Sequence, residues 1–247
     1  MKLRRNLGLT KQHGFTLIEM MVSLLIMGIV TGAVFSQMNT AQQRMSAEQV
    51  KVDDFQQARD FVDQFFRDIN QIADPNIRMF DATAIAFAAP PITDSRLAVG
   101  LVSIGDNSIE FEGSVNGIGT VQSVQYMING SGTCRLCLQR SQVDKANGNP
   151  WGQATNWGTE VNDVQANPIF KYYDVNGVLI AGLPVDISTP AGAQTIANIK
   201  TIQISLRIQN PSIVDGKTGQ PIESVFEGEV SLNNCSMAVN GQPMSCQ

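Results

Sequence analysis

Residues 15–35 read Phe15-Thr16-Leu17-Ile18-Glu19 followed by MMVSLLIMGIVTGAVF. This is close to the ~20 apolar residues that a helix needs to cross a bilayer. Glu19 is its only charged residue. Upstream, Lys2, Arg4, Arg5 and Lys11 stand in a stretch without acids. Basic flanks stay on the cytoplasmic side, which puts the following body in the periplasm or beyond. An ordinary secretory signal peptide fits poorly. Its apolar region spans roughly 7–15 residues and ends at a small-residue cleavage site, whereas this run is longer and lacks Ala-x-Ala punctuation.

The 247 residues suffice for one sizeable globular domain plus an appendage. Net charge is −5; without the four N-terminal cations, 13 basic side chains remain against 22 acidic ones, or −9. Such a body does not attract nucleic acid, whose phosphates call for clustered Lys and Arg.

Gly14-Phe15-Thr16-Leu17-Ile18-Glu19 resembles the cleavage motif of type IV prepilins and type II secretion pseudopilins. In that family a membrane aspartyl peptidase, the prepilin peptidase, cuts after the glycine on the cytoplasmic side and methylates the new N-terminal residue. The resemblance implies cleavage between Gly14 and Phe15, N-methylation of Phe15, and loss of residues 1–14 as a leader. The mature chain keeps its apolar helix as a single-pass inner-membrane anchor. An ionisable group in an apolar span costs several kcal/mol and calls for a partner. For Glu19 the resemblance implies the N-terminal amine of a neighbouring pilin or pseudopilin, so that charge neutralisation guides docking into a filament. A protonated, merely tolerated Glu19 is the alternative.

No proline occurs between Phe15 and Asp74, so one helix is predicted to run to Pro75. Residues 15–36 form its membrane or filament-core part. Residues 37–74 form an amphipathic second part, in which Phe55, Ala58, Val62, Phe65, Phe66, Ile69 and Ile72 recur mostly at spacings of three and four. That stripe is expected to pack on a sheet, with Gln42, Gln43, Arg44, Lys51, Asp53, Asp54 and Arg59 turned away from it. Too few apolar heptads are present for a pure coiled coil. Gly28 and Gly32 make a weak Gly-x-x-x-Gly pattern for close helix approach.

Residues 75–247 change to short β-type runs separated by Gly and Asn, as in an antiparallel sheet. Strands are predicted at Leu97–Ile104, Ser108–Glu112, Val121–Ile128, Leu136–Arg140, Ile169–Asp174, Ile199–Gln209 and Ser224–Leu232. Alternation of Ile202, Ile204, Leu206 and Ile208 with polar residues marks a half-buried strand. Residues 141–167 read as elaborate loops. The fold class is α+β: a long N-terminal helix packed on an antiparallel β-sheet head. Asp174, Asn176 and Gly177 invite a calcium loop, but the twelfth position is Val185, not an acid. A hairpin turn at Asn176-Gly177 is the better reading.

Arg59–Ile69 (RDFVDQFFRDI), Ser123–Ile128 with Leu138–Arg140, Tyr172–Gly177 and Ile199–Ile208 resemble PilW-like minor pilins and the J-type minor pseudopilins. Ser231-Leu232-Asn233-Asn234 departs from their pattern, which ends the last strand with an arginine before asparagine. The resemblance implies a minor pilin acting in initiation, priming or at the tip of a type IV pilus. A J-type minor pseudopilin of a type II secretion system is the nearest alternative, and a membrane-anchored adhesion or binding module the next. Expected partners are other pilins or pseudopilins through the N-terminal helix, the prepilin peptidase and the inner membrane.

Cys134, Cys137, Cys235 and Cys246 allow three pairings. Outside the reducing cytosol they are expected as disulfides, most simply Cys134–Cys137 and Cys235–Cys246. A redox pair fits poorly, because Cys134-Arg135-Leu136-Cys137 lies between strand-like runs rather than at a helix start. Zinc would need all four thiolates, since His13, the sole histidine, lies in the leader. No cofactor, metal or catalytic grouping is expected, and the chain reads as a non-enzyme. Trp151, Trp157, Tyr172 and Tyr173 are a candidate aromatic patch for sugar or surface binding, but core packing and turn stabilisation are the commoner roles for such residues.

Overall fold

The computed structural model describes residues 16–74, 95–96, 98–129, 136–145, 154–165, 168–214 and 219–232, leaving out the side chains of residues 211–213. Helix α1 (Leu17–Asn70) passes through two compact units, residues 1–49 and 50–247. The first unit is the exposed part of α1. The second carries strands β1 (Leu101–Ile104), β2 (Ser108–Gly113), β3 (Gln122–Asn129), β4 (Cys137–Asp144), β5 (Gly158–Val161), β6 (Phe170–Asp174) and β7 (Val185–Asp186). Helix α2 (Pro190–Ala197), β8 (Ile199–Val214) and β9 (Pro221–Ser231) complete it.

These strands form two antiparallel sheets, ordered β5-β4-β3-β2-β1-β7 and β6-β8-β9. The α+β expectation holds, with two sheets where one was read. In β8, Ile202, Ile204, Leu206 and Ile208 are buried while Arg207 is exposed, as the alternation required. On α1, Ala58, Phe61, Phe65 and Ile69 are buried, with Val62 and Phe66 beside them. The Phe65 ring lies 5.4 Å from Tyr126 and 5.6 Å from Phe170, so it touches both sheets. Phe55, placed in the predicted stripe, is instead half exposed at the margin, its ring 5.0 Å from Phe226 of β9.

The helix ends at Asn70, short of Pro75, because the chain turns to join the larger sheet. Ile72 bridges Gly113, and the Ala73 amide donates to the Glu112 carbonyl at 2.8 Å. The approach requires glycine: a Cβ on Gly113 would stand 2.2 Å from the Gln71 carbonyl oxygen.

Strand β1 is shorter than expected, since Gly100 takes φ +91° and the Val99 amide is taken by the Glu112 carboxylate. Residues 141–144 continue β4 and residues 158–161 form β5, so part of the region read as loops is sheet. Two further elements escaped the pattern. One is the two-residue β7; the other is α2, whose Thr189 cap accepts from the Gly192 amide with Pro190 in the first turn. The hairpin reading of Asp174–Gly177 holds. Asp174 Oδ1 accepts from the Asn176 and Val178 amides, both at 2.8 Å, and Gly177 has φ +76°.

Candidate processing and assembly segment

Gly14 and Phe15 lie outside the described residues; Thr16 is the first one described. Thr16 and Glu19 form a capping box. The Glu19 amide donates to Thr16 Oγ1 at 3.3 Å, and the Thr16 amide donates back to Glu19 Oε2 at 3.0 Å. The Thr16 hydroxyl adds a bond to the same oxygen at 3.1 Å. Glu19 therefore answers the unpaired amides at its own helix start, where a negative charge is also favoured by the helix dipole. The pattern Thr-x-x-Glu before an apolar run is legible in the sequence, yet neither sequence expectation for Glu19, an outside partner or a tolerated protonated state, included this cap.

Every residue from Thr16 to Ser46 is exposed. An 18-residue window of α1 has mean hydropathy 2.2 with none of it buried, so α1 is long and apolar enough to cross a membrane. A helix apolar all round requires a membrane or other chains as its surroundings. Among the described residues, Gly28 and Gly32 meet nothing that would obstruct a side chain.

The second unit holds two buried polar joints that the sequence did not reveal. Asp68, on the buried face of α1, accepts from Tyr126 Oη at 2.7 Å and from Arg140 Nε at 2.9 Å, with Arg140 Nη2 at 2.8 Å. Gln64 Nε2 supplies its other oxygen at 2.6 Å. Helix, β3 and β4 are thereby held in one register, and three of the segments that carry the minor-pilin resemblance meet here. Burial and the Asp68 charge push the Tyr126 phenol far above its ordinary range, so it stays a donor.

The other joint is Glu112 with Lys145, whose side chains are fully buried and 2.7 Å apart. The Val99 amide donates to the same carboxylate oxygen at 2.9 Å, while Glu112 Oε1 has no partner among the described residues. Burial pushes the Glu112 carboxyl up to about 7, with Lys145 opposing and Glu110 reinforcing the rise.

Cys137 is disulfide-bonded; Cys134, Cys235 and Cys246 lie outside the described residues, and so does its bond partner. Of the four aromatics, Tyr172 follows the core-packing reading rather than that of an exposed patch. Tyr172 is fully buried and donates to the Gly105 and Ser108 carbonyls at 3.1 and 3.2 Å, tying β6 to the β1–β2 turn. Tyr173 donates to Gln203 at 3.0 Å, Trp157 is half-buried, and Trp151 lies outside the described residues. Among the described residues, no group of three or more His, Cys, Asp or Glu is arranged to hold a metal ion.

Residues 9–35 match the family model described as the prokaryotic N-terminal methylation motif. No curated protein and no solved structure matches the chain. The long apolar-fronted helix and the antiparallel β structure are consistent with an α+β, type IV pilin-like fold. The match to a class III prepilin signal supports a type IV pilin-like protein. That signal implies processing by prepilin peptidase, inner-membrane anchoring and assembly with other pilins.

Proposed function

We propose that this chain is a minor pilin, a non-catalytic structural subunit acting in initiation, priming or at the tip of a type IV pilus. One observation supports the pilin part of this reading: the methylation motif at residues 9–35 overlaps the start of a helix that is apolar and, among the described residues, exposed; the minor-pilin part rests on the resemblance of the body segments. In this reading residues 1–14 are removed at Gly14/Phe15, Phe15 is N-methylated, residues 15–36 serve as anchor and filament core, and residues 37–74 join them to a periplasmic head. Glu19 then exchanges part of its capping role for the amine of a neighbouring subunit.

The test is intact-mass and N-terminal peptide mass spectrometry of protein from native membranes, with and without Gly14→Ala. A mature chain beginning at methylated Phe15, lost in the variant, supports the reading. An unprocessed chain overturns it in favour of an anchored binding module. The J-type pseudopilin reading rests on the same body segments; co-purification with secretion machinery instead of sheared surface filaments would favour it.

A further inference from the structure

Every open sheet ends in edges whose unpaired backbone groups can recruit another strand. Three of the four edges here are blunted. β5 has four residues and β7 two. β6 is backed by the returning chain, where the Ile180 amide donates to the Tyr172 carbonyl at 2.8 Å and Tyr173 bridges Leu179. β9 is different. It has 11 residues, and its register with β8 runs unbroken from Ile222 opposite Asn210 to Ser231 opposite Thr201. Among the described residues, the backbone of residues 222–231 hydrogen-bonds only to β8.

The chemistry of this edge is one-signed. Its inward side chains, among them Phe226 and Val230, face the core, while Glu223, Val225, Glu227 and Glu229 are exposed. Glu223 pairs with Arg207 at 3.2 Å. Glu227 and Glu229 stand opposite Ser205 and Gln203, and among the described residues no cation pairs with either. Antiparallel pairing with a second copy would set carboxylate against carboxylate, which is unfavourable directly across strands. A strand with Lys or Arg at alternate positions meets both the open backbone and the charge, so the same residues exclude self-pairing and select a basic partner.

We propose that the outer edge of β9 receives a basic β-strand from the head of a neighbouring, non-identical filament subunit. The identity of that neighbour rests on the minor-pilin reading; the selectivity of the edge does not. The experiment is hydrogen exchange of the detergent-solubilised full chain with a synthetic peptide alternating Lys and Val, and with a Glu–Val counterpart. Expected is slowing of exchange across residues 221–231 by about tenfold or more with the Lys–Val peptide only, weakened by salt. The double variant Glu227→Lys, Glu229→Lys should lose that response and gain one to the Glu–Val peptide, while exchange in β8 stays unchanged as a check on folding. No protection of β9, equal protection by both peptides, or protection that grows with protein concentration alone, as a second copy would give, each overturns the proposal. Failure here leaves Phe15 processing untouched. Conversely, an unprocessed Phe15 combined with a selective edge would sink only the neighbour's identity.

Discussion

The two parts of α1 bury their apolar surface in opposite ways. From residue 16 to 46 every side chain is exposed, although nearly all of Leu17 to Phe35 is apolar; from Ala58 to Ile69 a narrower stripe is fully covered by the head. Among the described residues, one end of the helix is packed into a core and the other is left exposed. The apolar stretch that is exposed among the described residues overlaps the methylation motif.

Substitution should separate the two parts sharply. Phe65→Ala, in contact with both sheets, is expected to destabilise the head by about 3–5 kcal/mol, whereas Leu24→Ala should stay within about 0.5 kcal/mol. Chemical denaturation of the detergent-solubilised chain measures both; a large loss at Leu24 would mean that the first part has an intramolecular cover. Nearly as large is Asp68→Ala, which leaves buried Tyr126 and partly buried Arg140 without their acceptor and should cost about 3 kcal/mol. Asp68→Asn would restore part of this by keeping a hydrogen-bond acceptor.

A third effect belongs to pH and to the head alone. The folded carboxyl of Glu112 titrates at about 7 against an ordinary 4.5, so the folded state holds this proton more tightly than the unfolded chain. Its contribution is fully present below about pH 4.5 and is lost as pH rises through 7, by up to about 3 kcal/mol. Denaturation midpoints at pH 5 and pH 8 should differ accordingly, and Glu112→Gln should flatten the difference while lowering stability at both. An unaltered slope in that variant would assign the pH dependence to other groups.

How much of this was legible follows from what periodicity can record. The alternation in β8 and the three-and-four spacing around Phe65 are one-dimensional consequences of burial, so they could be read directly. The capping box was also written in the sequence as Thr16-x-x-Glu19. Asp68 was not legible: a charge on an apolar face looks like an interruption until Tyr126 and Arg140, 58 and 72 residues away, are brought to it. Phe61 is absent from the predicted stripe, and for Tyr172 the sequence left core packing and a surface patch both open, because aromatics near a turn give no sign of which way they face. Short β7 has too few residues to show any period, and the split into two sheets is set by long-range pairing.

The smallest predicted effect lies at the very start of the exposed part. Thr16→Ala removes the hydroxyl that caps the Glu19 amide and donates to its carboxylate. Loss of an N-cap costs about 1 kcal/mol, confined to the first turn. Amide exchange of residues 17–20 in detergent should accelerate about fivefold, with no change in the head, and Thr16→Ser should restore it. If Thr16→Ala instead slowed exchange there, Glu19 would be better satisfied without the box, and the carboxylate would have to be held by a group other than its own helix start. An acceleration that disappears once the chain is assembled with other pilins would show the opposite: that the capping bonds are given up when a neighbouring subunit takes Glu19.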